Sequence, residues 1–566
     1  MTSSDETADA QSLTGRRIAL AVAIVLAIVV RVLFLDAKPF WRDEAWVAML
    51  VDEPSRAIAD GRAVPFGFLW LVRMTRALVP APPEVSYRII PLLVGIAFVP
   101  LLSRAAKTFG ARPWVGVLAA WFAAGLLPLI YYSRELKSYD IDLFVALACP
   151  MLAVAGFDGS APKRGARIAL MVLVIVAPWV SYACIFPIAA LLAWGWLAWA
   201  LRATPELRRD LFLCSAAFTA SFAAAYFLTI SSQVASPRLL SYWTPYLLGG
   251  GPSLGSRIVK GVTEYFRAST MYFFSSQWKV LVPIAALGAL TWPRAQRSFL
   301  LWMYFAAAAL CIVAALTNHY LIAHGRHLLF ALPPLLLWAG QGLWTLARPL
   351  GPRFRPAALA VVAAFALYSG YDSVRTRIVP YHTNRMEFFR RDVLQDVDQA
   401  IAALEPLVAP DDRVILSLRT AYAFQFYRHG RLPRAMYCER ACPDWDRRAR
   451  DWLAVVPGRA WLILADEEAK SMKDFFLLTT FTAEERIVLR GVSIWELHED
   501  RPLAEIAERR RLIDEERMKR ALKELSPSAR AAYEERASRK ESNAPDYGRA
   551  NRKVERRAKK NAARQP

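Results

Sequence analysis

Phe40-Trp41-Arg42-Asp43-Glu44-Ala45-Trp46 sets two adjacent carboxylates between tryptophans, just after an apolar run from Ile18 to Leu35. The run is long enough to be a membrane helix, so the acidic pair falls at the water interface where that helix ends. Two readings are open for the pair. It is either an ordinary solvated helix start, which acids favour, or the polar centre of a reaction site.

Working outward, the whole chain has the composition of a membrane protein that carries polar segments. Of its 566 residues 55% are hydrophobic, 19 are Trp and 21% are charged. The formal charge of +22 raises the question of nucleic acid. Much of the Lys and Arg, however, lies in short loops between apolar runs and in the last stretch of chain, which is the positive-inside pattern, and no nucleic-acid partner is expected. Six Cys and six His are too scattered for a zinc framework. Cys149, Cys184, Cys214 and Cys311 lie inside apolar runs, where a thiol packs as a small hydrophobe. Cys438 and Cys442 stand together in polar surroundings, suited to a tight disulfide if that part is extracytoplasmic.

Arg16 and Arg17 precede the first run, which lacks a clear small-residue cleavage site and is followed by many more. A retained signal-anchor helix with a cytoplasmic N-terminus follows from this. Glu44 to Ile58 and Phe66 to Leu78 have apolar residues at helical spacing without the length to span, and read as amphipathic helices on the outer surface. Further apolar runs are Tyr87 to Leu102, Trp114 to Tyr131, Ile141 to Ala155, Ile168 to Val180, Tyr182 to Leu201, Leu211 to Ile230, Met271 to Trp292, Phe299 to Leu316, Leu328 to Leu346 and Ala357 to Tyr371. Every predicted inner loop is basic, as with Arg104, Lys107 and Arg112, or Arg348, Arg353 and Arg355. About eleven spans then place everything after Tyr371 outside the cytoplasmic (inner) membrane.

The expected fold is mainly α, a polytopic membrane protein with a small extracytoplasmic α/β domain. Residues 1–373 form the membrane domain, 374–500 the α/β domain and 501–566 a charged helical or disordered basic tail. In the α/β domain the strand-like pieces are Arg413 to Ser417, Ala460 to Leu464 and Gly491 to Trp495, alternating with helices such as Arg390 to Leu407.

Besides Arg42-Asp43-Glu44, polar clusters at the predicted outer side are the stretch from Tyr131 to Asp142, Ser241-Tyr242-Trp243, and Asn318-His319-Tyr320 with His324-Gly325-Arg326-His327. Charges at membrane helix ends are costly when buried unless they serve one another or a ligand. Each member also has a plainer reading: Lys137 as a side chain snorkelling to the interface, Arg326 as a topology anchor, Tyr242 and Trp243 as interface aromatics. Their shared side favours a site. A transporter or flippase of a lipid-linked or small polar substrate is the alternative, but the second half shows no repeat of the first.

The order of these motifs resembles the GT-C class of integral-membrane glycosyltransferases, which includes protein O-mannosyltransferases, the lipid A aminoarabinose transferase and rhizobial lipopolysaccharide glycosyltransferases. The resemblance is carried by the acidic pair after the first span, Pro65-Phe66-Gly67-Phe68-Leu69-Trp70, Tyr87-Arg88-Ile89-Ile90-Pro91, Ser133-Arg134-Glu135-Leu136-Lys137-Ser138-Tyr139 and Gly325-Arg326-His327-Leu328-Leu329. It covers about Ile18 to Tyr371 and extends in outline to Tyr422–Tyr427. It implies transfer of a sugar from a polyprenyl-phosphate donor to an acceptor glycan, lipid or protein outside the membrane, with inversion. Asp43 would be the general base, with Glu44 beside it. Lys137 and Arg326, backed by Arg134, would hold the leaving phosphate, and Glu135, Tyr139, Tyr242, Trp243 and His327 would contact substrate. Where relatives often have Arg this chain has Lys137, a point charge without the bidentate fork. The polyprenyl-phosphate sugar enters as donor substrate, and participation of a divalent ion is left open by this reading. A divalent metal ion held by Glu44, His319 and His324 is the minority alternative to His residues simply lining the interface.

Overall fold

The computed structural model describes residues 3–33, 35, 39–55, 63–158, 162–200, 203–234, 248, 253–271, 278–322, 325–350, 360–365, 367–368, 397–409, 412–428, 432, 436–438, 460–465, 481–489 and 492–499. The proposed tail at 501–566, Cys442, and the residues 390–396 of the predicted helix Arg390 to Leu407 lie outside the described residues.

The chain is mainly α, a multi-pass membrane protein with a small β-containing domain. Against an expectation of about eleven spans, six helices among the described residues are long and apolar enough to cross a membrane. These are Leu13–Val32, Pro83–Thr108, Tyr139–Phe157, Pro205–Val234, Arg294–Leu316 and Gly325–Ala347. Other predicted runs are interrupted or short. The run Trp114 to Tyr131 divides into Pro113–Gly125 and Leu127–Tyr132, and Tyr182 to Leu201 begins its helix only at Ile185; of Met271 to Trp292, Trp278–Thr291 is helical and residues 272–277 lie outside the described residues. Of the run Ala357 to Tyr371, residues 357–359, 366 and 369–371 lie outside the described residues.

In chain order, α1 (Ser3–Val32) leads to α2 (Arg42–Val51) and α3 (Phe66–Leu78), the two amphipathic helices expected from the pattern. A helical turn at Pro83–Ser86 enters α4 (Ile89–Thr108), followed by α5 (Pro113–Gly125) and α6 (Leu127–Tyr132). The break between α5 and α6 has a local cause. Pro128 has no N–H to donate to Ala124, and Leu126 turns extended at φ −69 and ψ 119. Arg31, on the last turn of α1, fills the gap: its Nη1 donates to Ala124 O at 3.1 Å and its Nη2 to Ala123 O at 2.9 Å. A buried cation thus takes the carbonyls that a helix end leaves open.

Next come α7 (Tyr139–Phe157), α8 (Arg164–Val180), α9 (Ile185–Trp194) and α10 (Pro205–Ala225). Beyond them lie α11 (Leu254–Phe266), α12 (Trp278–Thr291), α13 (Arg294–Leu316) and α14 (Leu332–Ala347). The spans Tyr139–Phe157 and Gly325–Ala347 are 83% buried along their apolar windows, whereas Leu13–Val32 is 22% buried. The first two are therefore the interior of the bundle, and α1 presents apolar side chains that lipid would cover. α12 and α14 approach backbone to backbone at Gly288 and Gly342, where small residues permit close contact.

The β-containing domain has α15 (Val397–Leu404), β1 (Arg413–Ser417), α16 (Leu418–Tyr427), β2 (Met436–Cys438), β3 (Ala460–Ala465), β4 (Phe481–Leu489) and β5 (Val492–Glu499). The sheet order is β2-β1-β3-β5-β4, with β1 parallel to both neighbours and β5 antiparallel to both of its own. The three strands expected from sequence are its centre. Val414, Leu416, Trp461, Ile463, Val492 and Ile494 are buried in its core with Ile401 and Phe424. The two unforeseen strands are both edges. β2 has three residues, and β4 runs through Glu484-Glu485-Arg486, charges of the kind that protect an edge.

Candidate active site

The two interior spans both start at the same cluster of polar side chains. The loop Ser133–Ser138 delivers Lys137 and Tyr139 to the head of α7, and a 3-10 segment, Gly325–Ala331, delivers Arg326 and His327 to the head of α14. α2 brings the acidic pair in its first turn.

The acidic pair divides into two different environments. Glu44 is fully buried and clamped by Arg88: Nε donates to Oε1 and Nη2 to Oε2, each at 2.7 Å, and both side chains are 0% exposed. Leu136 N also donates to Glu44 Oε1, at 2.8 Å, which ties the Ser133–Ser138 loop to α2. Arg88 completes its bonds with the carbonyls of Leu35, Glu84 and Pro39, and its guanidinium lies 4.8 Å from the Phe40 ring centroid. This pair satisfies itself, as a buried fork-to-carboxylate pair must.

Asp43 faces the other way. Its Oδ2 is 3.4 Å from Arg326 Nη1, and the two side chains keep 15% and 18% exposure. A ligand can therefore reach this pair and not the first one. Arg326 Nε is buried with no hydrogen-bond partner among the described residues. Lys137 Nζ sits 4.4 Å from the Trp46 ring centroid, a cation–π contact. Burial pushes the Lys137 ammonium down from the ordinary lysine range, opposed by the charges of Asp43 and Glu135. Burial also lowers Arg134, to about 10, with Arg88 and Arg31 adding like-charge repulsion.

Around these charges, Glu135 Oε1 accepts from Trp41 Nε1 at 3.0 Å. Tyr139 packs edge-on against Tyr132 and His327, at 5.3 and 6.0 Å between centroids. Tyr320 donates its hydroxyl to His327 O at 2.6 Å, fixing the 3-10 segment. Asp43, Glu44, Arg134, Glu135, Lys137, Tyr139, Arg326 and His327 thus come from separate parts of the sequence to one region.

Of the three residues considered as metal ligands, Glu44 and His319 are described and lie in different surroundings. Both Glu44 oxygens are held by Arg88, and His319 is exposed past the end of α13 with Nδ1 3.2 Å from Thr317 Oγ1. No group of three His, Cys, Asp or Glu side chains among the described residues could hold a metal ion. His324, Tyr242 and Trp243 lie outside the described residues.

Several residues of the region escaped the sequence reading. Arg88 was legible as a motif member but not as the partner of Glu44. Trp41 and Trp46 were visible as interface aromatics, not as a hydrogen-bond donor and a cation platform. Tyr427, in the β-containing domain, accepts a bond from Phe40 N at 2.6 Å. Nothing in local spacing ties it to the membrane domain.

No family model matches the chain, and no curated protein sequence matches it. Among solved structures, ArnT from Cupriavidus metallidurans bound to undecaprenyl phosphate aligns over 85% of this chain and 97% of its own, with a TM-score of 0.50 and 15% identity. The apo state of the same protein aligns over 86% and 98%, with a TM-score of 0.52 and 13% identity. At these identities the likeness is one of fold: the chain shares the overall fold of the ArnT structures.

Proposed function

We propose that the chain is an inverting glycosyltransferase that moves a sugar from a polyprenyl-phosphate donor to an acceptor glycan, lipid or protein. The reading is supported most by the Asp43–Arg326 pair, a partly exposed base and cation at 3.4 Å beside Lys137. The undecaprenyl phosphate of the ArnT structure is a lipid of the class that this donor would carry.

In this mechanism the donor phosphate takes Arg326 away from Asp43 and settles between Arg326 and Lys137, with Arg134 behind. Asp43 is then free to accept the acceptor proton. The acceptor oxygen or nitrogen forms a bond to the anomeric carbon as the carbon–oxygen bond to phosphate breaks. The electron pair leaves with polyprenyl phosphate, whose charge the two cations hold. Attack opposite the leaving group inverts the anomeric configuration.

Glu44 acts here as a clamp through Arg88 and Leu136, so Asp43 alone serves as the base. Glu135, Tyr139, His327, Tyr242 and Trp243 are assigned to substrate contact. The reaction lies at the outer face of the cytoplasmic membrane, with the N-terminus inside and the β-containing domain outside. No metal is assigned a step.

The test is incubation of the purified chain in lipid with a panel of labelled polyprenyl-phosphate sugars and candidate acceptors. Release of polyprenyl phosphate matched by a glycosylated acceptor supports the reading. Leaflet-to-leaflet movement of donor without cleavage would replace it with a flippase.

A further inference from the structure

α2 begins at Trp41 with no side-chain cap, although its first turn carries Asp43. A helix start without a cap is held only by what packs around it. What packs here comes largely from the β-containing domain. Phe40, fully buried, donates its backbone N–H to Tyr427 Oη at 2.6 Å across 387 positions of sequence. Its ring meets Phe426 edge-on at 5.2 Å and Tyr427 at 6.4 Å, and stacks on Tyr87 at 5.9 Å. Tyr427 is the last residue of α16, the helix that follows β1 and lies against α2.

The neighbours of Phe40 are the working parts of the site. Trp41, next in sequence, donates to Glu135, and Asp43 faces Arg326. Arg88, over the Phe40 ring, clamps Glu44. Loss of the hydroxyl would strand a buried N–H at the point from which α2 is aimed.

We infer that Tyr427 is a positioning residue for Asp43: by latching Phe40, the β-containing domain holds the first turn of α2 in register with Arg326. The domain is then a component of the reaction site. Its catalytic consequence rests on the transfer reaction proposed above, whereas the latch itself does not.

The experiment uses the full chain in lipid nanodiscs. Hydrogen exchange is compared in Tyr427→Phe, Phe426→Leu and the native protein, over the segment from Phe40 to Val47 and over α7 and β3 as references. Tyr427→Phe keeps the ring and removes the hydroxyl. Exchange at the Phe40 amide is expected to rise about tenfold or more, with α7 and β3 unchanged. Phe426→Leu thins the packing but keeps the hydroxyl, and is expected to leave that amide near its native rate. With a polyprenyl-phosphate sugar, kcat of Tyr427→Phe is expected to fall about tenfold while donor KM moves less than about twofold. Unchanged exchange in Tyr427→Phe, or an equal rise in Phe426→Leu, would overturn the latch. Faster exchange with unchanged kcat would overturn the positioning role. A native chain that consumes no donor yet shows the exchange difference would fault the transfer reaction and leave the latch standing.

Discussion

Asp43 Oδ2 and Arg326 Nη1 stand 3.4 Å apart, joined across 283 positions of sequence. Beside them, one position along α2, Glu44 is sealed against Arg88 with no exposure on either side chain. The adjacent carboxylates therefore stand in different environments: Asp43 keeps partial exposure and Glu44 is sealed.

The open cation should matter to the reaction. Arg326→Ala is expected to lower kcat/KM for the donor about a hundred- to thousandfold, as loss of a preorganised charge donor does. Arg326→Lys should recover part of this, since a point charge still binds phosphate without the fork. Steady-state kinetics over a range of donor concentrations check both.

The sealed pair should matter to stability. Glu44→Gln leaves the Arg88 guanidinium buried without its counter-charge, and is expected to cost about 3–5 kcal/mol. The double substitution Glu44→Gln with Arg88→Met should recover much of that loss. Thermal unfolding of the set in one detergent measures the coupling.

Lys137 gives a pH signature. Its proton is held less tightly than in an ordinary lysine, because burial outweighs the attraction of Asp43 and Glu135. The charged form, which the proposed mechanism needs for the phosphate, is therefore lost at a lower pH than the usual lysine value of about 10.4. Donor KM should rise with pH below that value, and Lys137→Arg should flatten the rise. For folding the sign is opposite to a gain. A depressed lysine costs stability while it is charged in the fold, and the cost is relieved as pH rises through the folded value toward the unfolded one.

Gly95 gives a packing test. A Cβ there would meet Asp140 Oδ2 and Ser133 Cβ, each at 2.5 Å. Gly95→Ala is expected to destabilise by about 1–3 kcal/mol, since the head of α7 and the Ser133–Ser138 loop must shift to make room. The shift should also raise donor KM, because the same loop carries Lys137. Unfolding temperature and donor kinetics report the two effects.

The sequence made the open half of the site legible and the sealed half obscure, for a physical reason. Asp43, Lys137 and Arg326 are charges at the ends of apolar runs, where a membrane makes any charge conspicuous. Arg88 stands equally at such an end, yet its meaning lies in Glu44, 44 positions away, and a pair is not a pattern. Arg31 lay hidden inside an apolar run, and the break before Pro128 that it serves lay inside another. The central strands announced themselves by their apolar runs, while β2 and β4 carry the brevity and charge of edges. The span count failed where single residues interrupt helices, as at Leu126, because hydropathy averages over them.

The central claim is that Asp43 accepts the acceptor proton during sugar transfer. The direct measurement compares native protein and Asp43→Asn, both folded in lipid, for release of polyprenyl phosphate from a labelled polyprenyl-phosphate sugar in the presence of acceptor. Asn keeps the shape and cannot take the proton. The account predicts that the native chain turns over and that Asp43→Asn loses about a hundredfold or more of the rate while still binding donor. Equal turnover by the two proteins would contradict it and return Asp43 to the role of a helix-start acid.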